Sequence, residues 1–122
     1  RLLGCSSKDI QSDRFAAVIE LQQRYGGVVV LKGSGTLISN GVAPTCLSTW
    51  GNPGMSSGGM GDVLAGIIGG LLAQHFSLME AACVGVTLHG MAADKSAELD
   101  GERGMLAMDL MPHLRKLANL IS

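Results

Sequence analysis

A glycine-rich run that continues directly into a helical pattern is the feature that most constrains this chain. The run reads GNPGMSSGGMGDVLAGIIGGLLAQ over residues 51–74 and holds eight of the chain's 18 glycines. From Val63 onward, apolar residues recur with helical spacing, so we expect a helix to begin between Gly59 and Asp62. Glycines at that point let another molecule approach the first backbone N–H groups of the helix, which have no partner within it. The sequence therefore predicts a helix N-terminus suited to an anion such as phosphate.

The glycines further along the same helix need a different explanation. Gly66, Gly69 and Gly70 lie between the large apolar residues of the pattern. Interior glycine costs a helix about 1 kcal/mol relative to alanine. We therefore expect these three positions to allow close packing against a neighbouring element.

One carboxylate, Asp62, stands at the predicted start of the helix. A first-turn carboxylate complements the helix dipole and is worth roughly 0.3–1 kcal/mol. A carboxylate held beside an anion site is electrostatically unfavourable unless it has a task there, such as that of a base. The pattern of residues alone leaves both interpretations open.

The order of the remaining patterns predicts an α/β fold. An amphipathic helical pattern over residues 12–25 ends at two glycines, and the β-branched run VVVL at 28–31 follows. Such a run suits a strand covered on both faces, as in a parallel sheet, and we expect an inner strand. Two short strands, at 37–39 and 45–49, precede the glycine-rich run. Two further helices are expected after it, at about 79–99 and 106–120.

Composition excludes several classes of function. The net charge is -1 and aromatic residues make up 3% of the chain, so neither a basic patch nor a stacking surface for nucleic acid is expected. The longest strongly apolar run, 63–73, is too short to span a membrane. The cysteines, Cys5, Cys46 and Cys83, are widely spaced and suggest buried free thiols in a cytoplasmic protein.

Four segments together resemble the C-terminal part of the NAD(P)H-hydrate dehydratases, which are ribokinase-like proteins that repair hydrated NADH and NADPH. These segments are VVLKGSGTLI, the glycine-rich run, LHGMAAD and AMDL, and they extend over nearly the whole chain. The resemblance implies part of a three-layer fold in which a few central strands are flanked by about four helices. It also implies that residues 1–122 form the C-terminal portion of a catalytic domain about twice as long, so this portion alone is expected to lack a complete active site.

The resemblance assigns roles to seven residues. Asp62 matches the family residue that touches the hydrated nicotinamide and is expected to act as the base. Gly61 matches a nucleotide contact at the anion site, within the family's version of the G-x-G-D motif. The nucleotide-contacting stretch of the family corresponds to Lys32, Gly33, Ser34, Gly35 and Thr36.

The reaction implied is a dehydration driven by ADP or ATP, with Mg²⁺ expected, although no acidic metal cluster is visible in the sequence. The expected substrate is hydrated NADH or NADPH, and a homo-oligomer is expected. Two other functions remain open. The same motif would serve a ribokinase-like kinase of a vitamin precursor or sugar, and the Gly/Ala-rich helices would serve a non-enzymatic assembly fragment.

Four other residues have expected structural roles. His89 is expected to be a packed, hydrogen-bonded histidine of a helix, and Asp94, one turn later, to act as a cap or form a salt bridge. A catalytic role of His89 and a functional role of Asp94 stay open as alternatives. Asn52 and Pro53 are expected to shape the turn before the glycine-rich loop, and a contact between Asn52 and the nucleotide stays open.

Overall fold

The helices and strands follow the predicted α/β order. The computed structural model describes residues 7–32, 35–42, 44–56 and 58–120. The elements are α1 (Ser7–Tyr25), β1 (Val29–Leu31), β2 (Thr36–Ser39), β3 (Cys46–Ser48), α2 (Met60–Ala73), α3 (Leu78–Asp100) and α4 (Met111–Ala118), with 3-10 turns at Pro53–Ser56 and Ala107–Leu110. The chain divides into two compact units, Arg1–Leu47 and Ser48–Ser122.

The first unit is built on an antiparallel hairpin. Its strands β1 and β2 pair with Val30 opposite Ile38, and the described sheet has the order β1-β2-β3. Leu37 and Ile38 are each 1% exposed. Because neighbouring residues of a strand point to opposite faces, β2 is covered on both faces.

The prediction of an inner strand at 28–31 is wrong for the sheet that the described residues form. β1 stands at one end of the strand order, and its side chains are half-buried. The connection from Leu31 to Thr36 is too short for the crossover that parallel pairing needs, so the chain returns antiparallel. The β-branched run indicates a strand but does not indicate its place in the sheet.

Helix α1 holds both ends of this hairpin through side-chain donors. The Arg14 guanidinium donates to the Gly35 carbonyl oxygen at 2.5 Å, at the β1–β2 turn. The Gln22 side-chain amide donates to the carbonyl oxygens of Gly27 and Asn40, at 3.1 and 3.0 Å, where the hairpin opens. Between the two donors, Val18 is fully buried. α1 therefore holds Gly35, which belongs to the predicted nucleotide stretch.

The second unit has an aliphatic core between its helices. The buried residues of this core are Met60, Leu88, Ala92, Ala93, Met105, Leu110 and Leu114. α2 packs on α3 at Gly85, where an added Cβ would lie 2.8 Å from Ile68 Cγ1. Close packing of these helices therefore depends on a glycine of α3.

The expected packing role of Gly66, Gly69 and Gly70 is wrong for the described residues. All three are exposed, and a Cβ added to any of them would meet no described atom within 4 Å. The buried residues of α2, Met60, Leu64 and Leu71, lie on its other face. The periodic pattern places the glycines between apolar residues in sequence but does not show which helix supplies the close contact.

Helix α3 begins with a capping box. The Ser77 hydroxyl accepts a hydrogen bond from the Glu80 amide at 3.2 Å, and Glu80 Oε1 accepts one from the Ser77 amide at 2.9 Å. Two hydrogen bonds lower the pKa of Glu80 below its ordinary value of 4.5. The bond from the Ser77 backbone has the larger effect, and the bond with the Ser77 side chain has the smaller one.

The described residues bear on two expectations from composition, those for membrane-spanning helices and for the cysteines. Among the described residues, no helix is both long and apolar enough to cross a membrane. Cys46 and Cys83 are free thiols, as expected, but Cys46 is exposed and Cys83 is only half-buried, so their predicted burial is wrong. Cys5 lies outside the described residues.

Candidate active site

The start of α2 has the geometry expected from the glycine-rich run. Gly59 is its N-cap, with φ 85° and ψ -9°, a left-handed conformation that favours glycine. The first bond along the helix runs from the Val63 amide to the Gly59 carbonyl oxygen at 3.1 Å. Within the described part of the chain, the amides of Gly61 and Asp62 donate no hydrogen bond and no side chain caps the helix. The predicted helix N-terminus with open donors is confirmed.

Gly61 and Asp62 lie side by side on the exposed first turn. An added Cβ on Gly61 would meet nothing within 4 Å, so this surface is open to a ligand. Among the described residues, Asp62 forms no ion pair. Met60, only 2% exposed, anchors the same turn in the core. An anion approaching the open amides would therefore meet a firmly held turn that carries one carboxylate.

The segment before this turn is fixed by α3. Asp94 accepts hydrogen bonds from the Gly51 amide at 3.0 Å and from the Asn52 side-chain amide at 2.9 Å. Asn52 Oδ1 in turn accepts a bond from the Gly54 amide at 3.0 Å. The predicted turn-forming role of Asn52 is confirmed. Asp94, however, neither caps its own helix nor forms a salt bridge among the described residues, so that expectation is wrong.

The predicted nucleotide stretch lies in the first unit. Lys32 is exposed directly after β1, Gly35 has φ 81°, and Thr36 opens β2. Gly33 and Ser34 lie outside the described residues. Sequence reasoning missed Arg14, whose guanidinium bonds the Gly35 carbonyl oxygen; its only signal was a charged residue on the inner side of an amphipathic helix.

The predicted site residues thus form two groups. Lys32, Gly35 and Thr36 belong to the first unit, and Gly61 and Asp62 belong to the second. A single pocket shared by the two groups stays a prediction.

His89 and the metal expectation can be assessed within the second unit. His89 is 2% exposed in the middle of α3, in agreement with the expected packed histidine. Among the described residues, no group of three or more His, Cys, Asp or Glu side chains is arranged to hold a metal ion.

Solved structures define the class of this fold as ribokinase-like. The chain superposes on a ribokinase-like superfamily protein of Enterococcus faecalis with a TM-score of 0.79 and 33% identity, over 93% of this chain and 39% of the other. The ADP/ATP-dependent NAD(P)H-hydrate dehydratase of Bacillus subtilis, co-crystallised with ATP/Mg²⁺, superposes with a TM-score of 0.84 and 29% identity. That match covers 100% of this chain and 44% of the other.

The chain belongs to the NAD(P)H-hydrate dehydratase family, whose profile matches residues 1–116. It is 60% identical over 120 residues to the bifunctional NAD(P)H-hydrate repair enzyme of Vibrio cholerae. The match covers 98% of this chain but 24% of that enzyme, so the chain spans about a quarter of the relative's length. The family resemblance inferred from the motifs is confirmed.

Proposed function

We propose that this chain is the C-terminal portion of a catalytic domain that uses ADP or ATP to dehydrate hydrated NADH and NADPH. The observation that carries the proposal is the first turn of α2, where Gly61 and Asp62 present open amides beside an exposed carboxylate. Family membership supplies the reaction class, and the turn supplies the chemistry that the reaction needs.

The nucleotide would be held by its phosphates. Backbone N–H groups at a helix N-terminus favour anions through both hydrogen bonding and the helix dipole. Gly61 has no Cβ to keep a phosphate away from these amides. We assign the 32–36 stretch to nucleotide binding by its match to the family motif, with Lys32 as the cation of that stretch.

Asp62 would act on the hydroxyl group at C6 of the hydrated ring. Its carboxylate would accept the hydroxyl proton while the oxygen forms a bond to the transferred phosphoryl group, a contribution of roughly 10²–10⁴ in rate. The Gly61 and Asp62 amides would donate to the developing phosphoryl charge, and such a donor is typically worth about 10²–10³. The C–O bond then breaks, phosphate leaves with the electron pair, and loss of a ring proton restores the double bond.

Mg²⁺ does not fit a dedicated protein site in the described residues, because they hold no cluster of acidic ligands. Magnesium is often carried chiefly by nucleotide phosphates and water. We therefore assign it to the nucleotide and derive no step through it.

The expected partners of the complete protein are small molecules and further copies of the same chain, in the cytoplasm. These assignments come from the sequence and from the family, and they are part of the proposal. Size-exclusion chromatography with light scattering would measure the oligomeric state directly.

The proposed reaction is tested by mixing the complete protein that carries this chain with hydrated NADH and either ADP or ATP. We expect the near-ultraviolet absorbance of the reduced nicotinamide to return, with one phosphate released per ring restored. If nucleotide is consumed only when a vitamin precursor or sugar is added, and a stable phosphoester accumulates, the kinase alternative is correct. If no nucleotide binds, both enzymatic functions are excluded.

A further inference from the structure

The segment 51–54 lies against one face of α3, at two residues one helical turn apart. Asp94 accepts the Gly51 amide and the Asn52 side-chain amide, at 3.0 and 2.9 Å. Gly90, four residues earlier, meets the backbone of Trp50, where an added Cβ would lie 2.7 Å from the carbonyl oxygen. Residues four apart share a face of a helix. Gly90 thus permits the close approach, and Asp94 accepts the hydrogen bonds.

The hydrogen bonds continue from Asp94 along the segment. Asn52 donates to Asp94 with its side-chain nitrogen and accepts the Gly54 amide with its side-chain oxygen, at 2.9 and 3.0 Å. The Asn52 carbonyl oxygen also accepts the Met55 amide at 3.1 Å, which starts the 3-10 turn. Gly54 has no room for a side chain, because an added Cβ would lie 2.7 Å from the Glu102 carbonyl oxygen. The Asp94 carboxylate and the close contact at Gly54 therefore both constrain the conformation of the segment.

This segment is also tied to the first turn of α2 through the core. Met55 packs against the buried cluster that contains Met60, the first residue of α2. Met105, which an added Cβ on Gly54 would approach to 3.2 Å, belongs to the same cluster. A shift of the segment would therefore disturb the packing that holds the open amides of Gly61 and Asp62 in place.

We propose that Asp94 is a positioning residue for nucleotide binding and turnover, acting through Asn52 on the first turn of α2. The inference rests on the proposed function, since it assigns that turn to the nucleotide. Asp94 touches neither nucleotide nor substrate in this scheme. It holds the approach segment in the binding conformation, so that binding does not have to order it.

The pattern of donors and acceptors allows the side chains of Asp94 and Asn52 to be exchanged as a test of the proposal. In Asp94→Asn, one of the two acceptors becomes an N–H₂ group that faces a donor. In Asn52→Asp, two carboxylates face each other. In the double variant, the new side-chain amide at position 94 would accept the Gly51 amide with its oxygen and donate to the new carboxylate at position 52. The second oxygen of that carboxylate would accept the Gly54 amide, so every bond is restored with the same total charge.

A matched control for these variants lies on the same helix. Asp100 is an exposed carboxylate at the end of α3. Asp100→Asn therefore makes the same chemical change as Asp94→Asn at an exposed position that, among the described residues, forms no hydrogen bond to the segment 51–54.

The test measures kcat, the KM for ADP and ATP, and the melting temperature of the complete protein carrying each change. We expect each single variant to raise the nucleotide KM roughly tenfold, as the loss of one charge-assisted hydrogen bond implies. The double variant should return to within about threefold of wild type, and Asp100→Asn should match wild type in kcat and in both KM values. If the double variant is as impaired as the single ones, the proposal is overturned.

The same measurements separate this proposal from the function on which it rests. If the wild type transfers phosphate to a small alcohol instead of the hydrated ring, the dehydratase function fails, while the same KM pattern in that reaction would still support Asp94. If the wild type dehydrates the ring but the single variants lower only the melting temperature, Asp94 is merely structural and the positioning role fails alone. If the wild type binds no nucleotide, both fail.

Discussion

Gly85 of α3 and Ile68 of α2 are in direct contact, and an added Cβ on Gly85 would lie 2.8 Å from Ile68 Cγ1. The helices can approach this closely only because position 85 has no side chain. By contrast, Gly69 of α2 is exposed and faces open space. Replacement of these two glycines by alanine should therefore change the stability of the protein in opposite directions.

We expect Gly85→Ala to destabilise the protein, because overpacking costs roughly 1–3 kcal/mol and exceeds the gain in helix propensity. Gly69→Ala is the matched control and should stabilise the protein by about 1 kcal/mol. Thermal or urea unfolding of both variants measures the difference. Equal stabilisation by the two alanines would show that the close contact between α2 and α3 is incorrect.

These glycines show how far the sequence determines the fold. Helical periodicity from Val63 onward located α2, since a strong repeat of apolar residues reports local structure directly. The same periodicity assigned close packing to α2, whereas the contact glycine belongs to α3. Which helix supplies a close contact depends on tertiary packing, and no pattern within one helix contains that information.

The candidate site was predictable to a similar degree. The open amides of Gly61 and Asp62 follow from glycines at a helix start, which is a local signal. The bonds of Asp94 to Gly51 and of Arg14 to Gly35 join residues 43 and 21 positions apart. Such contacts depend on how elements meet, so the sequence suggests a cap or a salt bridge for Asp94, not its bonds to residues 51 and 52, and it does not suggest Arg14.

Replacement of Gly61 separates binding from stability. The Cβ of Gly61→Ala would point into open space in the first turn of α2, so we expect the stability of the protein to hold or rise slightly. In the nucleotide complex, the same methyl group would occupy the approach to the open amides. Isothermal titration should therefore show at least about tenfold weaker binding of ADP and ATP.

The control for Gly61→Ala is Gly66→Ala, an alanine on the exposed side of the same helix. We expect it to leave nucleotide affinity unchanged. If Gly61→Ala keeps full nucleotide affinity, the phosphate does not bind at the first turn of α2.

The capping box of α3 should give the protein an acid-sensitive contribution to stability. Hydrogen bonds to Ser77 lower the pKa of Glu80 in the folded protein below its ordinary value of 4.5. The ionised carboxylate therefore stabilises the fold fully above that ordinary value, and the contribution is lost as the pH falls through the lowered pKa. Glu80→Gln keeps an acceptor for the Ser77 amide but carries no charge.

We expect the wild type to melt at a higher temperature than Glu80→Gln at neutral pH, and the difference to vanish in acid. Calorimetry over a series of acidic buffers measures it. A difference that stays constant across the acid range would contradict ionisation of Glu80 as its source.

Turnover of Asp62→Asn in the complete protein tests most directly whether this chain carries the base of a dehydratase. Asparagine keeps the size of the side chain but cannot accept the hydroxyl proton. We predict that dehydration of hydrated NADH falls by roughly 10²–10⁴, while affinity for ADP and ATP holds or rises because a negative charge beside the phosphates is removed. Near-normal turnover with a lowered melting temperature would contradict the catalytic role and leave Asp62 as a residue that only complements the dipole of α2.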